Sequence, residues 1–333
     1  MKSNKYEIDM CNGSIMDKLV SFALPLMLSG ILQLMFNAVD IIVVGRFSGS
    51  EALAAVGSTT ALINVFTNLF IGISLGANVL AARFFAAGRK EEMSETVHTS
   101  ITLALISGIL MAFVGLVFSK GALELMGTPE DVIGLSTLYM RIYFMGMPFF
   151  MLYNYGAAIL RAVGDTKRPL YFLIIAGVIN AGLNMVLVIV FGLGVAGVGI
   201  ATVFSQMVSC VLVLTCLCRA EGSYKLSFSK LSMKGYYLKQ IFQVGIPAGI
   251  QSTVINFSNA LLQSSVNSFG STAMAGYTAA NNILGFLYVS INSVTQACMS
   301  FTSQNFGVGK YKRMDRVLID CMILSVGAAL VLG

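Results

Sequence analysis

Apolar residues gather into nine runs, at about 19–44, 53–82, 97–118, 132–160, 170–191, 198–218, 241–267, 274–302 and 317 to the end, divided by short polar stretches. Crossing roughly 30 Å of hydrocarbon takes about 20 residues at ~1.5 Å each. The pattern therefore predicts nine membrane-spanning helices. The longest polar stretch, 219–237, follows the sixth run, and an even number of crossings returns the chain to the side on which it began. This predicts an N-terminal lobe (1–218, six helices), a linker (219–237) and a second, partial lobe (238–333, three helices).

The two lobes are related in sequence. Gly49-Ser50-Glu51-Ala52-Leu53-Ala54 returns 221 residues later as Gly270-Ser271-Thr272-Ala273-Met274-Ala275. Phe85, Gly88, Arg89 and Met93 return as Phe306, Gly309, Lys310 and Met314, and one extra residue aligns Pro25 with Pro247. Because each copy starts on the same side, the repeat is parallel, and duplicated apolar units are a signature of transporters that rock one half against the other. Two units of this size need roughly 440 residues. A chain of 333 residues that stops inside its ninth run is thus expected to be a truncated form of a longer protein.

Composition points to the same solvent. Charged residues make up 11% of the chain, against roughly a quarter in soluble proteins, and 56% of residues are apolar. Of 21 Lys and Arg, 18 fall at the N-terminus, in alternate loops and in the linker, leaving Arg46, Lys120 and Arg141 on the other side. Cytoplasmic loops keep positive charge, so the N-terminus is expected in the cytoplasm. The net charge of +6 then follows from topology and lipid headgroups, and no aromatic-interleaved basic patch suggests nucleic acid.

Candidate chemistry is sparse. Six scattered cysteines suggest no disulfide framework, and His98 is the sole histidine, which disfavours a metal site. HExxH, GxSxG and Walker patterns are absent, so neither an enzyme nor an ATP-driven pump is expected, and no cofactor beyond a coupling ion. The first run holds one ionisable residue away from its ends, Asp40. A carboxylate there is costly when charged unless it faces a wet cavity, binds a cation or carries a proton. Contact with headgroups or with Arg46 is the plainer alternative, although six residues is a poor fit to one helical face. Gln33, Asn37 and Asp40 share a face by their spacing of four and three, as do Asn180 and Asn184. Such stripes serve either as a site or as interhelical glue.

Pro25 removes a backbone hydrogen bond about four turns before Asp40, making it a candidate hinge, with Pro148 and Pro247 as comparable weak points. Arg141 is expected to snorkel to water or to bridge Asp131. Tyr139, Tyr143, Tyr153, Tyr155 and the methionines could line a cavity for organic cations, or simply pack. Gly88 and Gly309 read as helix C-caps.

These residues resemble the multidrug and toxic compound extrusion (MATE) transporters, and among them the DinF-like bacterial branch. The likeness runs from about Ile15 to Met314. It is carried by Pro25 with Asp40-x-x-x-x-Gly45, by Gly76-Ala77 through Gly88, by Gly194 to Thr202 and by Gly245-Ile246-Pro247-Ala248-Gly249. Its most specific element is Leu160-Arg161-Ala162-Val163-Gly164-Asp165-Thr166-Lys167-Arg168-Pro169. The resemblance implies an all-α polytopic membrane protein of two six-helix lobes, with about nine of twelve helices present. It also implies a cation site joining Asp40 to Asn180, Asn184 and Thr202. Some members are acidic where this chain has Asn184, so coupling would rest on Asp40. Other branches carry a glutamate after the Pro247 equivalent, where this chain reads Gln251-Ser252-Thr253-Val254-Ile255-Asn256.

The expected activity is antiport: export of organic, amphiphilic and cationic compounds in exchange for H⁺ or Na⁺. Its setting would be a monomer spanning a bacterial cytoplasmic membrane, with lipid and a small organic substrate as partners. A flippase of lipid-linked saccharide precursors is the rival within transport, but such a protein would place several basic residues in its cavity, and this chain offers only Arg141. A non-functional fragment of the transporter is the other alternative.

Overall fold

The computed structural model describes residues 6–267 and 271–332. Its architecture is all-helical: α1 (Ile15–Phe47), α2 (Ser50–Ala86), α3 (Lys90–Leu125), α4 (Glu130–Met145), α5 (Met147–Ala162), α6 (Lys167–Asn184), α7 (Gly194–Cys218), α8 (Gly235–Asn267), α9 (Ser271–Gly307) and α10 (Tyr311–Leu332). In hydrocarbon a helix is the only open-ended way to satisfy every backbone group within one segment. Among the described residues five stretches are long and apolar enough to cross a membrane: α1, α2, α3, α6 with its extension to Val190, and α7.

The expected fourth span, 132–160, is two helices. The break falls at Gly146, and Pro148 sits in the first turn of α5, where its missing N–H costs nothing. Each piece is 16 residues, about 24 Å at ~1.5 Å per residue, too short to cross alone. An apolar run records continuous burial from water but not continuous helix, so the break was invisible to hydropathy. Pro25 and Pro247, in contrast, lie inside unbroken helices, and the Ser29 hydroxyl donates to the Pro25 carbonyl at 2.8 Å.

The repeat is reproduced in three dimensions. Helices α1 and α8 both have 33 residues, and α2 and α9 both have 37. Gly88 N–H donates to the Phe85 carbonyl (3.2 Å) and Arg89 N–H to that of Phe84 (3.1 Å); Gly309 and Lys310 repeat the pair onto Phe306 (3.1 Å) and Asn305 (2.9 Å). Both glycines have a φ near +70°. This is the two-bond turn that ends a helix on a left-handed residue, so the expected C-caps are present. Gly270, the partner of Gly49, lies outside the described residues.

Helices α1 to α7 bury most of the core, and a second cluster forms where Leu19 and Phe22 of α1 meet Phe301 of α9 and Val317 of α10. Phe22 and Phe301 stack edge to face with centroids 5.7 Å apart. The first seven helices meet α8 to α10 closely toward the end that carries the basic loops, here called the basic end. Asn78 of α2 donates to the Ala158 carbonyl (2.9 Å) and accepts from Ser300 (3.1 Å), while Gln304 donates to the Ala162 carbonyl (2.7 Å). Glycines set the α2–α8 approach: a methyl on Gly249 would come within 2.7 Å of the Leu69 carbonyl oxygen, and one on Gly245 within 2.5 Å of Ile73 Cα. Both obstacles are backbone and cannot rotate away.

Candidate functional site

Asp40 is buried in the half of α1 far from the basic end. It accepts a hydrogen bond from the Asn184 amide, which also donates to Asn180 Oδ1 at 3.2 Å. The one-turn spacing of 180 and 184 puts the two amides on one face of α6, in contact with each other. Asn184 is the last residue of α6, and residues 185–190 continue as a π-helical turn. Such widened turns occur often at functional sites because they rephase the side chains that follow.

With both amide protons committed, the Asn184 side chain keeps its carbonyl oxygen, which is buried and has no hydrogen-bond partner. A buried acceptor without a donor costs about 1–3 kcal/mol. Here it lies beside a carboxylate, and the two together are oxygen ligands of the type that hard cations take. A carboxyl proton or a desolvated monovalent cation would each relieve that cost.

The remaining expected members divide. Thr202 is half-buried, and its hydroxyl donates to the Val198 carbonyl of its own helix at 2.9 Å. Gln33 and Asn37 share the helical face of Asp40 but are exposed where Asp40 is buried. The tyrosines Tyr139 and Tyr143, one helical turn apart on α4, lie within electrostatic reach of Asp40, with ring centroids 6.2 Å apart. Tyr143 meets Gln206, a residue that sequence reasoning passed over although it stands one turn beyond Thr202 on α7. Arg141 is exposed, and among the described ion pairs none joins it to Asp131.

The most specific motif of the sequence lies elsewhere, at the basic end. Asp165 is wholly buried, is ion-paired with Arg168 and accepts from the Arg168 backbone N–H at 3.1 Å, while Arg168 reaches Cys216 Sγ at 3.2 Å. Gly164, at φ +95°, lets the N-terminal segment pass so closely that a methyl there would come within 2.6 Å of the Ile8 carbonyl oxygen. The motif thus clamps the α5–α6 turn to α7 and to the leader.

A family model for MatE matches residues 25–186 and 247–333, two stretches that open at Pro25 and Pro247. The chain belongs to the MatE family. It is 34% identical over 306 residues to a probable multidrug resistance protein, YoeA, of Bacillus subtilis, covering 89% of this chain and 66% of that one. It is 24% identical to an FAD transporter of Shewanella oneidensis, covering 90% and 67%. The chain thus spans about two thirds of the length of these relatives. Its fold superposes with a TM-score of 0.92 on a MOP superfamily transporter of Pyrococcus furiosus, at 23% identity, covering all of this chain and 74% of the other. This MatE chain is a multi-pass membrane protein whose two matched stretches correspond to the repeated halves described above.

The amide that holds Asp40 gives a direct test. Asn184→Leu removes the donor to a buried carboxylate, an interaction worth about 1.5–3 kcal/mol. If Asp40 binds a cation, the apparent affinity for that cation is expected to fall roughly ten- to hundredfold, read from the cation dependence of transport. Unaltered cation dependence would show that the contact only glues α1 to α6.

Proposed function

We propose that this MatE chain carries the ion-coupling half of a secondary antiporter, which exports amphiphilic, cationic organic compounds in exchange for H⁺ or Na⁺. The carrying observation is the buried Asp40–Asn184–Asn180 cluster with its unpartnered carbonyl oxygen. It offers a place where a cation changes the cost of burial, which is what links an ion to a conformational equilibrium. The shape supports the same reading. The two halves touch tightly at the basic end, whereas Gln33, Asn37 and Asn64 on one side and Gln251 and Asn259 on the other are exposed. Exposed amides are costly against lipid, so they fit the walls of a wet cleft. With the basic end in the cytoplasm, as positive charge favours, this is an outward-open state of a protein in a bacterial cytoplasmic membrane.

The cargo is argued from charge and from kinship. Asp40 is the buried acid of this region and among the described ion pairs none joins it to the exposed Arg141, so a cationic solute competes with the coupling ion where an anionic one would not. The B. subtilis relative, a probable multidrug resistance protein, favours an organic compound as cargo. Reconstituted vesicles with separately imposed proton and sodium gradients test the proposal, with an organic cation and FAD as the two cargo arms. Gradient-driven uptake of the cation alone is the expected result. Uptake of FAD alone, or of neither, would overturn the assignment of cargo.

A further inference from the structure

We propose that His98 is a proton-sensitive dock for the linker that leads from α7 into α8. It is the only histidine of the chain, lies eight residues into α3 at the basic end and is 3% exposed. Its Nδ1 sits 2.6 Å from the Ser94 carbonyl oxygen, which can only accept, so Nδ1 carries the proton. Its Nε2 receives the Ser227 backbone N–H at 3.1 Å, so that nitrogen is bare. The docked imidazole is therefore neutral. A second proton would set an N–H against the Ser227 N–H and turn an attraction into a repulsion. Acid at the basic face thus loosens the linker at Ser227, and neutral or alkaline conditions hold it there.

Two of the three acids of α3 nearest to His98 are already ion-paired. On α3, Glu92 is paired with Arg89 at 2.5 Å, and Glu95 with Lys234 of the linker at 2.6 Å. Glu91 and Tyr237, the latter in the first turn of α8, complete the titratable groups around Lys234, and Lys225 and Lys230 add only positive charge on the linker side. Lys234 N–H also reaches the Thr99 hydroxyl at 3.5 Å and is the last residue before α8 begins. Docking of Ser227 at His98 thus works with the Lys234 contacts to hold the approach to α8 against α3, with the first turn of α8 ten residues before Gly245 presses against α2. Losing the His98 bond loosens that approach, which leads into the helix that must move if the basic end is to open. The device is independent of which solute is carried.

Because there is one histidine, ¹⁵N-histidine labelling of the full chain in lipid nanodiscs gives one imidazole. At neutral pH its Nδ1 should be protonated and its Nε2 bare; the opposite tautomer or an imidazolium would overturn the proposal. Hydrogen exchange of linker amides, corrected for intrinsic rates, supplies the second reading. Between about pH 7.5 and about pH 5.5, protection should fall roughly five- to tenfold, the effect of one lost hydrogen bond. In His98→Gln, whose side-chain carbonyl can accept the same N–H but cannot titrate, protection should stay flat. A variant that follows the wild-type profile would overturn the proposal, and neither reading depends on transport.

Discussion

Asp40→Asn is expected to abolish gradient-driven export while leaving the protein folded. Under a tenfold gradient of the coupling ion, one-for-one exchange sustains up to about a tenfold gradient of a singly charged cargo, since each tenfold ratio is worth about 1.4 kcal/mol. The variant should sustain none, under either a proton or a sodium gradient. The reasoning is that a ligand shifts a conformational equilibrium only by its differential affinity for the two states, and an amide neither titrates nor neutralises a cation. Thermal stability should be equal or higher, because a buried charge is removed at nearly constant volume. A variant that still sustains half the wild-type cargo gradient would remove Asp40 from the coupling step.

The second large effect concerns the contact between α2 and α8. Gly245→Val inserts a branched side chain where even a methyl would lie 2.5 Å from Ile73 Cα and 2.9 Å from the Ile73 oxygen. Overpacking against unyielding atoms costs about 1–3 kcal/mol, which moves an open-to-closed ratio roughly 5- to 150-fold. The basic end should open. In a cysteine-free background, a cysteine replacing the buried Ser300, partner of Asn78, reports this as faster labelling by an impermeant maleimide from that side. Gly57→Ala is the control, because a methyl there meets nothing within 4 Å. Equal labelling rates in the two variants would mean that the glycine contact does not hold the gate.

Much of this arrangement was readable from the sequence, for identifiable reasons. Asp40 stood out because a lone acid in an apolar run has few affordable roles, and the pairing of Asn180 with Asn184 followed from helical spacing. Spacing alone could not separate Asp40 from Gln33 and Asn37: it fixes which face a residue shares but not where a neighbouring helix begins to cover that face. Tyr143 was legible only as one of several tyrosines that could line a cavity, and Gln206 escaped for a related reason, since spacing on α7 does not tell which of its residues meets α4. The glycines at 76, 245 and 249 were legible as residues of a family pattern. Their purpose, letting two backbones touch, appears only when both helices are in place. The motif from Leu160 to Pro169, the most specific in the chain, belongs to a clamp remote from the carboxylate, so specificity of pattern was a poor guide to chemistry.

The matched turns after α2 and α9 carry a mechanical consequence. Each corner is locked by two backbone hydrogen bonds around a glycine whose torsions have little room left, and the flanking helices are long rods. A joint so fixed transmits rotation instead of absorbing it. Whatever compliance the molecule needs must therefore reside within the rods, at the proline-weakened interior of α1 and α8 and at the interruption between α4 and α5, so that this protein works less like a hinge than like a set of flexing springs set in rigid corners.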